Sequence, residues 1–477
     1  MAREFDVCVV GGGPAGSVTS LRLAKLGHRV CLIECCAFPR HHVGESITKG
    51  IWPISKVLGI QESLLQQEFL KSRETRVRWS GPFTEHLCAI GNSTGLIVDR
   101  AKFDALLLHA AAASGVQVVQ PARVVAARNS DSGWQLQVRS RSNSYVAHSS
   151  FLVDASGRSG FLRGNREHTS PRTLALCGYV SSDTCPGATL VEALSDSWCW
   201  GAPIPGAQFS MMVFLDPQRA PRGGGHRALE KLWRRELARA DLFCDVSHLP
   251  LTGSVRACDA TVYYTNEPIG LDFVRVGEAA FSLDPLSSTG VEKAMQTGLA
   301  AAVTLHTMML RPERSDLCLK FYRDRHFEAV SQHAIWSAGF YQSVDRYHEF
   351  PFWQTRSRVQ KQRSPEANPS PQSPVSPTYR RLSCDPRMKL QISETACIVQ
   401  QPCIVGNEIL SQAALKAGSD RAVAFVDGIE IAPLLALVPQ NIDFTRLISL
   451  WSSRILPESA RGIAEWLIRN RILEPVP

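Results

Sequence analysis

Three glycines and one acid near the N-terminus have the spacing of a dinucleotide phosphate site. An apolar run, DVCVV, leads into GGGPAG, with Gly11, Gly13, Ala15 and Gly16, and Glu34 follows a second apolar run. In such a turn the first glycine allows the tight bend, the second lets the backbone approach a pyrophosphate, and the third permits close helix–strand packing. A helix N-terminus offers free N–H groups to the phosphates, and Glu34 can accept hydrogen bonds from ribose hydroxyls. The sequence therefore predicts a strand–turn–helix–strand unit that binds a dinucleotide.

A later segment, VGEAAFSLDPLSSTGV, predicts the second half of the same site. The strand FVRV delivers Glu278, whose carboxylate can bind a ribityl hydroxyl. Pro285 and the small residues up to Gly290 lead to a helix that begins at Val291. Because a helix N-terminus carries partial positive charge, it suits the electron-rich end of a flavin ring. An ordinary strand–turn–helix without a ligand is the alternative interpretation.

Two carboxylic acids and two tryptophans are further candidates for chemistry. Glu45 and Asp284 lie in the two cofactor segments and are possible acid–base residues near a flavin. Trp198 and Trp200 alternate within SWCWGAP, so both point to one face of a strand. These two rings either wall an aromatic substrate pocket or pack in the core.

Composition narrows the classes of protein that this chain can belong to. Its 477 residues suffice for two or three domains. The net charge is +8, and six Lys and Arg residues lie within 356–381, so much of the positive charge is local. We therefore expect no nucleic-acid partner. The 14 cysteines form no C-x-x-C pair, and we predict no metal site. We expect a cytoplasmic protein without a membrane span, because no leader precedes Asp6 and no long apolar run occurs.

The order of patterns predicts a discontinuous nucleotide-binding domain with an insertion. Alternating apolar and polar residues over 122–154 predict antiparallel strands, and FVRVGEAA returns to the nucleotide-type sheet. We expect that domain to comprise 1–171 and 266–354, with a β-rich substrate domain at 172–265. Residues 355–385, rich in Pro, Ser and Arg, predict a linker. Residues 386–477 regain helical periodicity, and we expect a helical C-terminal domain there.

Four motifs together resemble the FAD-dependent monooxygenase and halogenase superfamily over residues 4–356. They are GGGPAG, FPR…GES, VDR-x-x-FD and GEAA…DP…G. The resemblance implies an α/β chain with a glutathione-reductase-type FAD-binding fold. Besides the glycine turn and Glu34, it implies cofactor contacts at the positions that match the family: Arg40, Ser46, Arg100, Val124 and Glu278. Most relatives carry Asp where Glu278 stands, which is a mild chemical departure.

The same resemblance implies the oxygen chemistry of that superfamily. Reduced FAD would react with O2 to a C4a-hydroperoxide, which hydroxylates an electron-rich aromatic ring or oxidises a halide. The reductant would be NAD(P)H or a partner reductase, and no second G-x-G-x-x-G occurs to hold a nicotinamide cofactor stably. The resemblance therefore leaves hydroxylation and halogenation as alternatives.

Halogenase motifs are present in part. Trp198 to Pro203 is close to the W-x-W-x-I-P motif, and the 281–290 segment fits a second halogenase pattern. Halogenases also need a lysine that relays hypohalous acid. Lys71, the only lysine in FLKSRETRVRWSG, lies eight residues before Trp79, one away from the expected spacing. Arginine is a poor replacement because guanidinium stays charged. Lys71 is thus a candidate catalytic residue, and a halogenase of an indole, pyrrole or phenol stays an alternative.

A narrower resemblance favours hydroxylation of tryptophan. GEAAFSLDPLSSTGVEKA, FYRDRH, PFW-x-x-R and the extra C-terminal domain resemble LodB-type and QhpG-type monooxygenases, which mature quinone cofactors made from tryptophan. This implies a polypeptide substrate, docked by the C-terminal domain, although that domain could equally serve packing or oligomerisation. A reductase that saturates double bonds and a binding protein with a vestigial flavin are the remaining hypotheses.

Overall fold

The computed structural model describes residues 3–88, 94–141, 143–162, 164–181, 185–221, 223–358, 387–417 and 422–476. These residues form two compact units. The N-terminal unit comprises the described residues of Met1–Leu310 and Tyr322–Gln362, and the C-terminal unit comprises those of Arg311–Phe321 and Arg363–Pro477. The described residues of the predicted insertion belong to the N-terminal unit, and so do those of the predicted nucleotide-binding domain except Arg311–Phe321. Most of the predicted linker, 355–385, lies outside the described residues.

The strands of the N-terminal unit, in chain order, are β1 (Arg3–Val10), β2 (Val30–Ile33), β3 (Ser46–Ile47), β4 (Leu70–Ser72), β5 (Glu74–Arg78), β6 (Glu85–Cys88), β7 (Gly95–Ile97), β8 (Gln117–Val119), β9 (Ala122–Ser130), β10 (Gly133–Ser140), β11 (Ser144–Asp154), β12 (Arg166–His168), β13 (Leu174–Ser181), β14 (Thr189–Ala193), β15 (Ser197–Ile204), β16 (Gln208–Leu215), β17 (Arg256–Asp259), β18 (Tyr263–Thr265) and β19 (Phe273–Arg275). The helices α1 to α8 are α1 (Pro14–Lys25), α2 (Ile51–Leu58), α3 (Gln61–Leu65), α4 (Arg100–Ala113), α5 (Gly225–Leu237), α6 (Gly290–Leu310), α7 (Ser315–Gln342) and α8 (Pro351–Arg356).

The nucleotide-type sheet has the strand order β8-β2-β1-β11-β10-β9, and β19 pairs with the end of β11. Strands β8, β2, β1, β11 and β19 are parallel, whereas β10 runs antiparallel between β9 and β11. Val7 and Val9 of β1 are fully buried, as expected for a parallel strand covered on both faces. Helix α1 packs against α4 and α6. The predicted strand–turn–helix–strand unit and the return of FVRV to this sheet are confirmed.

A second seven-stranded sheet has the order β17-β13-β16-β15-β14-β5-β6. The predicted insertion supplies β13 to β17, but β5 and β6 come from residues 74–88, which precede it by about a hundred residues along the chain. Strand β5 pairs in parallel with β14, so Thr75 lies opposite Thr189. One face of this sheet packs on α5 around Trp233. The opposite face carries Trp200 and Met212 and contributes to the cavity described below.

The C-terminal unit mixes strands and helices. In chain order its elements are β20 (Lys389–Ile392), β21 (Ala396–Val405), β22 (Glu408–Ala417), β23 (Phe425–Val426), β24 (Ile429–Glu430), α9 (Ala432–Leu435), β25 (Ile442–Asp443), α10 (Phe444–Ser452), α11 (Pro457–Arg469) and β26 (Leu473–Pro475). Three helices, α9, α10 and α11, are present in the later part of the region for which helical periodicity predicted a helical domain. The prediction of a helical domain is wrong for the segment before them, because β21 and β22 form a hairpin paired over ten residues.

In the described part of the chain, no helix is long and apolar enough to cross a membrane.

Candidate active site

A cavity of about 1150 Å³ occupies the N-terminal unit. Its walls come from the glycine turn after β1, the 40–46 loop, the Gly157–Ser159 turn, the 276–294 segment and one face of the second sheet. Its volume exceeds the roughly 300–1,000 Å³ usual for small-molecule sites. The predicted site residues that line it are Gly11, Gly13, Ala15, Glu34, Arg40, Glu45, Ser46, Arg100, Val124, Trp200, Glu278, Asp284, Pro285, Gly290 and Val291. One cavity therefore joins both predicted cofactor segments to the predicted substrate side.

The glycine turn after β1 has the geometry that its sequence predicts. Gly11 has a φ of +110°, and a Cβ there would lie 2.3 Å from the Ala155 carbonyl oxygen. Gly16 does not line the cavity; it lies beneath the turn, where a Cβ would come within 2.0 Å of the Gly11 carbonyl oxygen. At Gly13 the nearest atom to such a Cβ is Arg40 Nη2, at 3.5 Å. No side chain caps the N-terminus of α1, so its backbone N–H groups are available to an anion.

Glu34 lies at the end of β2, where ribose recognition was predicted. Its Oε2 accepts a hydrogen bond from Gly12 N–H at 2.6 Å, and its Oε1 accepts one from Cys36 N–H at 2.8 Å. The carboxylate is therefore held in place by the backbone. Cys35, Cys36 and Glu34 also place their ligand atoms within 4.8 Å of one another, close enough to hold a metal ion. The sequence had predicted no metal site.

The 40–46 loop is held by Arg100 at the N-terminus of α4. Arg100 forms a two-pronged ion pair with Asp104, at 2.9 and 3.0 Å, and donates from Nη1 to the Val43 carbonyl oxygen at 2.6 Å. Arg40 Nη2 lies 3.7 Å from Asp104 Oδ2. Two arginines thus share one fully buried carboxylate. Arg100, predicted to contact the cofactor, lines the cavity and also shapes the loop that carries Glu45.

Glu45 is 2% exposed and forms a carboxyl–phenol pair with Tyr179 of β13. The Tyr179 hydroxyl donates to Glu45 Oε1 at 2.6 Å, and Gly44 N–H donates to Oε2 at 3.0 Å. Burial raises the pKa of Glu45, while the hydrogen bond from Tyr179 opposes that rise. Burial, with Glu45 nearby, also raises the pKa of Tyr179. Glu45 can therefore retain a proton at a higher pH than an ordinary glutamic acid.

Asp284 is 6% exposed and stabilises the turn before α6. Its Oδ1 accepts a hydrogen bond from Leu286 N–H at 3.0 Å, and its Oδ2 accepts one from the Tyr341 hydroxyl at 3.0 Å. The Asp284 N–H donates to His333 Nε2 at 2.6 Å. Burial raises the pKa of Asp284 and lowers that of His333 to about 4. Both carboxylate oxygens and the backbone N–H of Asp284 are thus bonded to other residues of the protein. Asp284 is therefore a positioning residue, which holds the turn before α6.

Glu278 follows β19 in a short turn, as predicted. Its Oε1 accepts a hydrogen bond from Arg158 Nη2 at 3.2 Å, and the pair is partly exposed. Tyr263 donates from its hydroxyl to the Glu278 carbonyl oxygen at 2.7 Å. Arg158 lines the same cavity, so a cation and a carboxylate lie side by side on this wall.

The face of the second sheet toward the cavity is aromatic and sulfur-rich. Strand register places Trp200 opposite Met212, and Met212 opposite Cys177. Phe214 and Cys258 lie one row away, and all five side chains line the cavity. An apolar face of this size excludes water and suits a flat aromatic ligand.

Two predicted site residues lie away from the cavity. Lys71 is an exposed residue of β4 and lines a separate cleft of about 420 Å³. Trp198 shares a face with Trp200, as predicted, but it is buried behind the cavity. Its ring stacks on that of Phe214, with the ring centroids 3.9 Å apart. Lys293, in the first turn of α6, is the only lysine among the described residues that line the cavity.

Several residues of the site were not predicted from the sequence: Arg158, Tyr179, Cys258, Lys293 and Tyr341. Tyr179 could have been found, because Ala175, Cys177 and Tyr179 alternate along β13 and therefore share a face. Lys293 lies within the quoted GEAAFSLDPLSSTGVEKA segment but was not singled out, and the other three carry no local signal. Tyr341, for example, reaches Asp284 from the last turn of α7, 57 residues further along the chain.

The residues present fit FAD. A Cβ at Gly11 or Gly16 would collide with backbone, so only this glycine pattern permits the turn. Free N–H groups at α1, the fixed carboxylate of Glu34 and the turn before α6 line one cavity of sufficient volume. Gly11, Gly13 and the start of α1 would hold the pyrophosphate, Glu34 the adenosine ribose, and the 277–291 segment the flavin end.

Comparison with known proteins agrees with this geometry. Residues 6–163 match the family model for FAD dependent oxidoreductases. The chain is 28% identical over 376 residues to a tryptophan 2-halogenase of Chondromyces crocatus, covering 74% of this chain and 70% of that protein. The solved structure of CmlS, a flavin-dependent halogenase, superposes with a TM-score of 0.80 at 24% identity, over 98% of this chain and 96% of that one.

A second solved structure is that of QhpG, described as a peptidyl tryptophan dihydroxylase essential for tryptophylquinone cofactor biogenesis. It superposes with a TM-score of 0.71 at 24% identity, over 98% of this chain and 99% of that one. At these identities the two structures establish the fold. Fold and site together define a flavin-dependent oxidoreductase. The match of residues 6–163 to the FAD dependent oxidoreductase model and the similarity to flavin-dependent halogenases agree with the monooxygenase and halogenase superfamily that the motifs resemble.

Proposed function

We propose that this oxidoreductase is a monooxygenase that hydroxylates the indole ring of a tryptophan side chain within a polypeptide, as in quinone-cofactor maturation. One observation carries the proposal: the cavity ends on an apolar face formed by Trp200, Met212 and Phe214, while Lys71 lies outside it. A flat, electron-rich ring matches that face. Lys71, the lysine that the sequence offers as the relay of hypohalous acid in a halogenase, does not line this cavity.

FAD, reduced by NAD(P)H or a partner reductase, supplies electrophilic oxygen from O2 when bound. The protein's own contribution is to orient the ring and to exclude water. Trp200 and Phe214 pack against the ring's faces and edges, since aromatic pairs favour offset or edge-to-face contacts. The buried walls around Glu45 and Asp284 keep bulk solvent from the reacting atoms.

Glu45 is the residue that holds and moves a proton. Its raised pKa keeps the carboxyl group protonated closer to neutral pH, and Tyr179 supplies a second O–H next to it. A proton on Glu45 Oε1 or Oε2 can pass to an oxygen that leaves the reacting centre, and it can be recovered from the substrate ring afterwards. Asp284 keeps the turn before α6 in place and does not exchange protons in this proposal.

Two of the similar proteins support the choice of substrate by their descriptions. One is a tryptophan 2-halogenase and the other a peptidyl tryptophan dihydroxylase, so tryptophan is the target of both. The second also matches this chain over nearly its whole length, including the C-terminal unit. Docking of the polypeptide by the C-terminal unit is part of our proposal.

The test is an assay of the FAD-loaded protein with a tryptophan-containing polypeptide, a reductant and ¹⁸O2. We expect a gain of one or two ¹⁸O atoms on a tryptophan residue, measured by tandem mass spectrometry, with free tryptophan left unchanged. The matched control is Glu45→Gln, which retains the size of the side chain. Oxygen transfer to free tryptophan, or O2 consumption with every candidate polypeptide left unmodified, would contradict the proposal.

Halogenation is the second candidate, and two observations favour it. Lys293 lines the cavity, and the relatives described above include halogenases. Repeating the assay with chloride or bromide, and with free indoles, pyrroles and phenols, separates the two functions. Halogenated product from the wild type, lost in Lys71→Met or Lys293→Met, would establish halogenation in place of hydroxylation.

A further inference from the structure

Two cysteine thiols lie side by side on the cavity wall opposite the cofactor segments. Cys177 is on β13 and Cys258 is on β17, and register places Cys258 opposite Ala175, two residues from Cys177 on the same face. The two thiols lie close enough for each to shift the pKa of the other. Both line the cavity, where small molecules have access to them.

The two thiols differ in the way that a redox pair requires. Cys177 is 2% exposed, whereas Cys258 is partly exposed. The neighbouring Cys177 thiol, assisted by Arg256 and Arg158, lowers the pKa of Cys258 to about 7, although burial opposes the shift. The Cys258 thiol, together with burial, raises the pKa of Cys177. Cys258 is therefore the nucleophile and Cys177 the thiol that resolves it.

We propose that Cys258 and Cys177 form a peroxide-reactive dithiol site in the cavity, which closes to a disulfide. The oxidant is hydrogen peroxide, which reduced flavin and O2 release when no substrate accepts the oxygen. Its origin thus rests on the proposed oxygen chemistry, whereas the site itself does not.

The reaction balances in two steps. The Cys258 thiolate attacks one peroxide oxygen, the O–O bond breaks, and the sulfur loses two electrons to become a sulfenic acid. The hydroxide that leaves takes up the proton that Cys258 released on ionisation and becomes water. Cys177 then attacks Cys258 Sγ, the S–O bond breaks, and the hydroxyl leaves as water with the proton from Cys177. The net change is one disulfide formed and one peroxide reduced to two waters.

The fold permits the movement that the disulfide needs. Diagonal neighbours on antiparallel strands lie further apart than directly opposed residues, so β17 must move toward β13. Strand β17 has four residues and is the edge strand of its sheet, paired only with β13 among the described strands. Formation of the disulfide would shift Asp259 and Ala260, which also line the cavity. Oxidation of the two thiols would thereby change the face of the cavity that contacts the substrate.

A second thiol pair provides an internal control. Cys8 and Cys31 lie directly opposite each other on β1 and β2, but both are 0% exposed and neither lines the cavity. Proximity of two thiols is thus common to both pairs, and access from the cavity distinguishes them.

The experiment treats the FAD-loaded full chain with hydrogen peroxide, alkylates remaining thiols in denaturant, and maps peptides without reduction. We expect a dithiothreitol-reversible cross-link between the peptides of Cys177 and Cys258, formed at least about tenfold faster than any between Cys8 and Cys31. In Cys177→Ser, Cys258 should instead accumulate as a sulfenic acid that dimedone traps. In Cys258→Ser neither product should form.

Three results would overturn the proposal. One is a Cys177 and Cys258 pair that stays reduced while the exposed Cys35 and Cys36 are oxidised. Another is oxidation of Cys258 straight to sulfinic or sulfonic acid without a cross-link. The third is a Cys8–Cys31 cross-link formed at the same rate, which would show that global unfolding and not cavity access governs the reaction. Because peroxide is added directly, a negative result leaves the proposed hydroxylation untouched.

Discussion

Besides Glu34, which the backbone holds at the predicted ribose site, two buried carboxylic acids line the cavity, Glu45 and Asp284, and their surroundings differ in a way that assigns them different roles. The Glu45 site consists of Glu45, Tyr179 and the 40–46 loop held by Arg100, and the Asp284 site consists of Asp284, Tyr341 and His333. Burial raises the pKa of both acids. Burial alone therefore does not distinguish a proton donor from a structural acid.

The hydrogen-bond partners make the distinction. Asp284 accepts bonds from Leu286 N–H and Tyr341 and donates its own N–H to His333, so that it joins a turn to a long helix. Glu45 accepts one bond from a phenol and one from the neighbouring Gly44 N–H. Both carboxyl groups thus accept from a tyrosine hydroxyl and a backbone N–H. The distinguishing bond is that of Asp284 N–H to His333 on α7, which makes Asp284 a brace between a turn and a helix. The predictions below test this contrast, beginning with the largest effect.

Replacing each acid by its amide should separate the two sites most strongly. Glu45→Gln removes the transferable proton, and we expect turnover to fall by about 10²–10⁴-fold with FAD still bound. Asp284→Asn retains an oxygen that can accept from Leu286 N–H or Tyr341, so turnover should fall by less than about tenfold. Steady-state oxygen transfer and flavin absorbance measure both effects. Equal losses in the two variants would remove the contrast.

Removing the residue that supports each site should lower the stability of the protein by different amounts. Among the described residues, Arg100→Met leaves the fully buried Asp104 with Arg40, at 3.7 Å, as its remaining ion-pair partner, and we expect a loss of about 3–5 kcal/mol in the free energy of unfolding. His333→Leu leaves one buried N–H without its acceptor, for which we expect about 1–3 kcal/mol. Urea unfolding measures both values. The double variant Arg100→Met with Asp104→Leu is the control, and it should recover part of the loss.

The two tyrosines should affect the pH dependence differently. Tyr179→Phe removes the hydrogen bond that opposes the rise in the pKa of Glu45, so that pKa should rise further and the corresponding limb of the pH–rate profile should move to higher pH. At a fixed pH the change in rate should be on the order of tenfold. Tyr341→Phe should leave this limb where it is. A shift in both variants would mean that both acids titrate during turnover.

The smallest effect is on stability as a function of pH. Since the pKa of Glu45 is raised above its usual 4.5 in the folded protein, the native state binds more protons than the unfolded state in the interval above 4.5. Wild-type stability should therefore fall as the pH rises through that interval. Glu45→Gln, which does not titrate, should lose less, by on the order of 1 kcal/mol. Urea unfolding at several pH values gives the difference, and parallel curves would contradict the assigned burial.

Local patterns predicted the cofactor half of the cavity. The glycine turn, Glu34 and the 277–291 segment each depend on neighbours within one strand–turn–helix unit, so spacing alone identified them. The partners of the two acids depend on long-range register. Tyr179 reaches Glu45 across 134 residues and Tyr341 reaches Asp284 across 57, distances over which no local periodicity carries information.

The same limit explains the errors in the fold. Strand β5 joins the second sheet by parallel pairing with β14, more than a hundred residues away. The hairpin of β21 and β22 gains its stability from mutual pairing of the two strands, which helical periodicity within one segment does not reveal. Lys71 was weighed on sequence spacing alone, whereas its place on the exposed β4 depends on pairing with β7.

The alternation of side chains across the second sheet has a consequence for how this enzyme can evolve. Trp200 and Met212 belong to the cavity side, and their neighbours Cys199, Met211 and Val213 belong to the core around Trp233 on the other side. The codons for Trp200, Met212 and Phe214 thus encode side chains that line the cavity, and the codons for Cys199, Met211 and Val213 encode packing on the other side. Selection for a new substrate can act on one set while the other preserves the folded scaffold, so this sheet is a natural target for directed evolution.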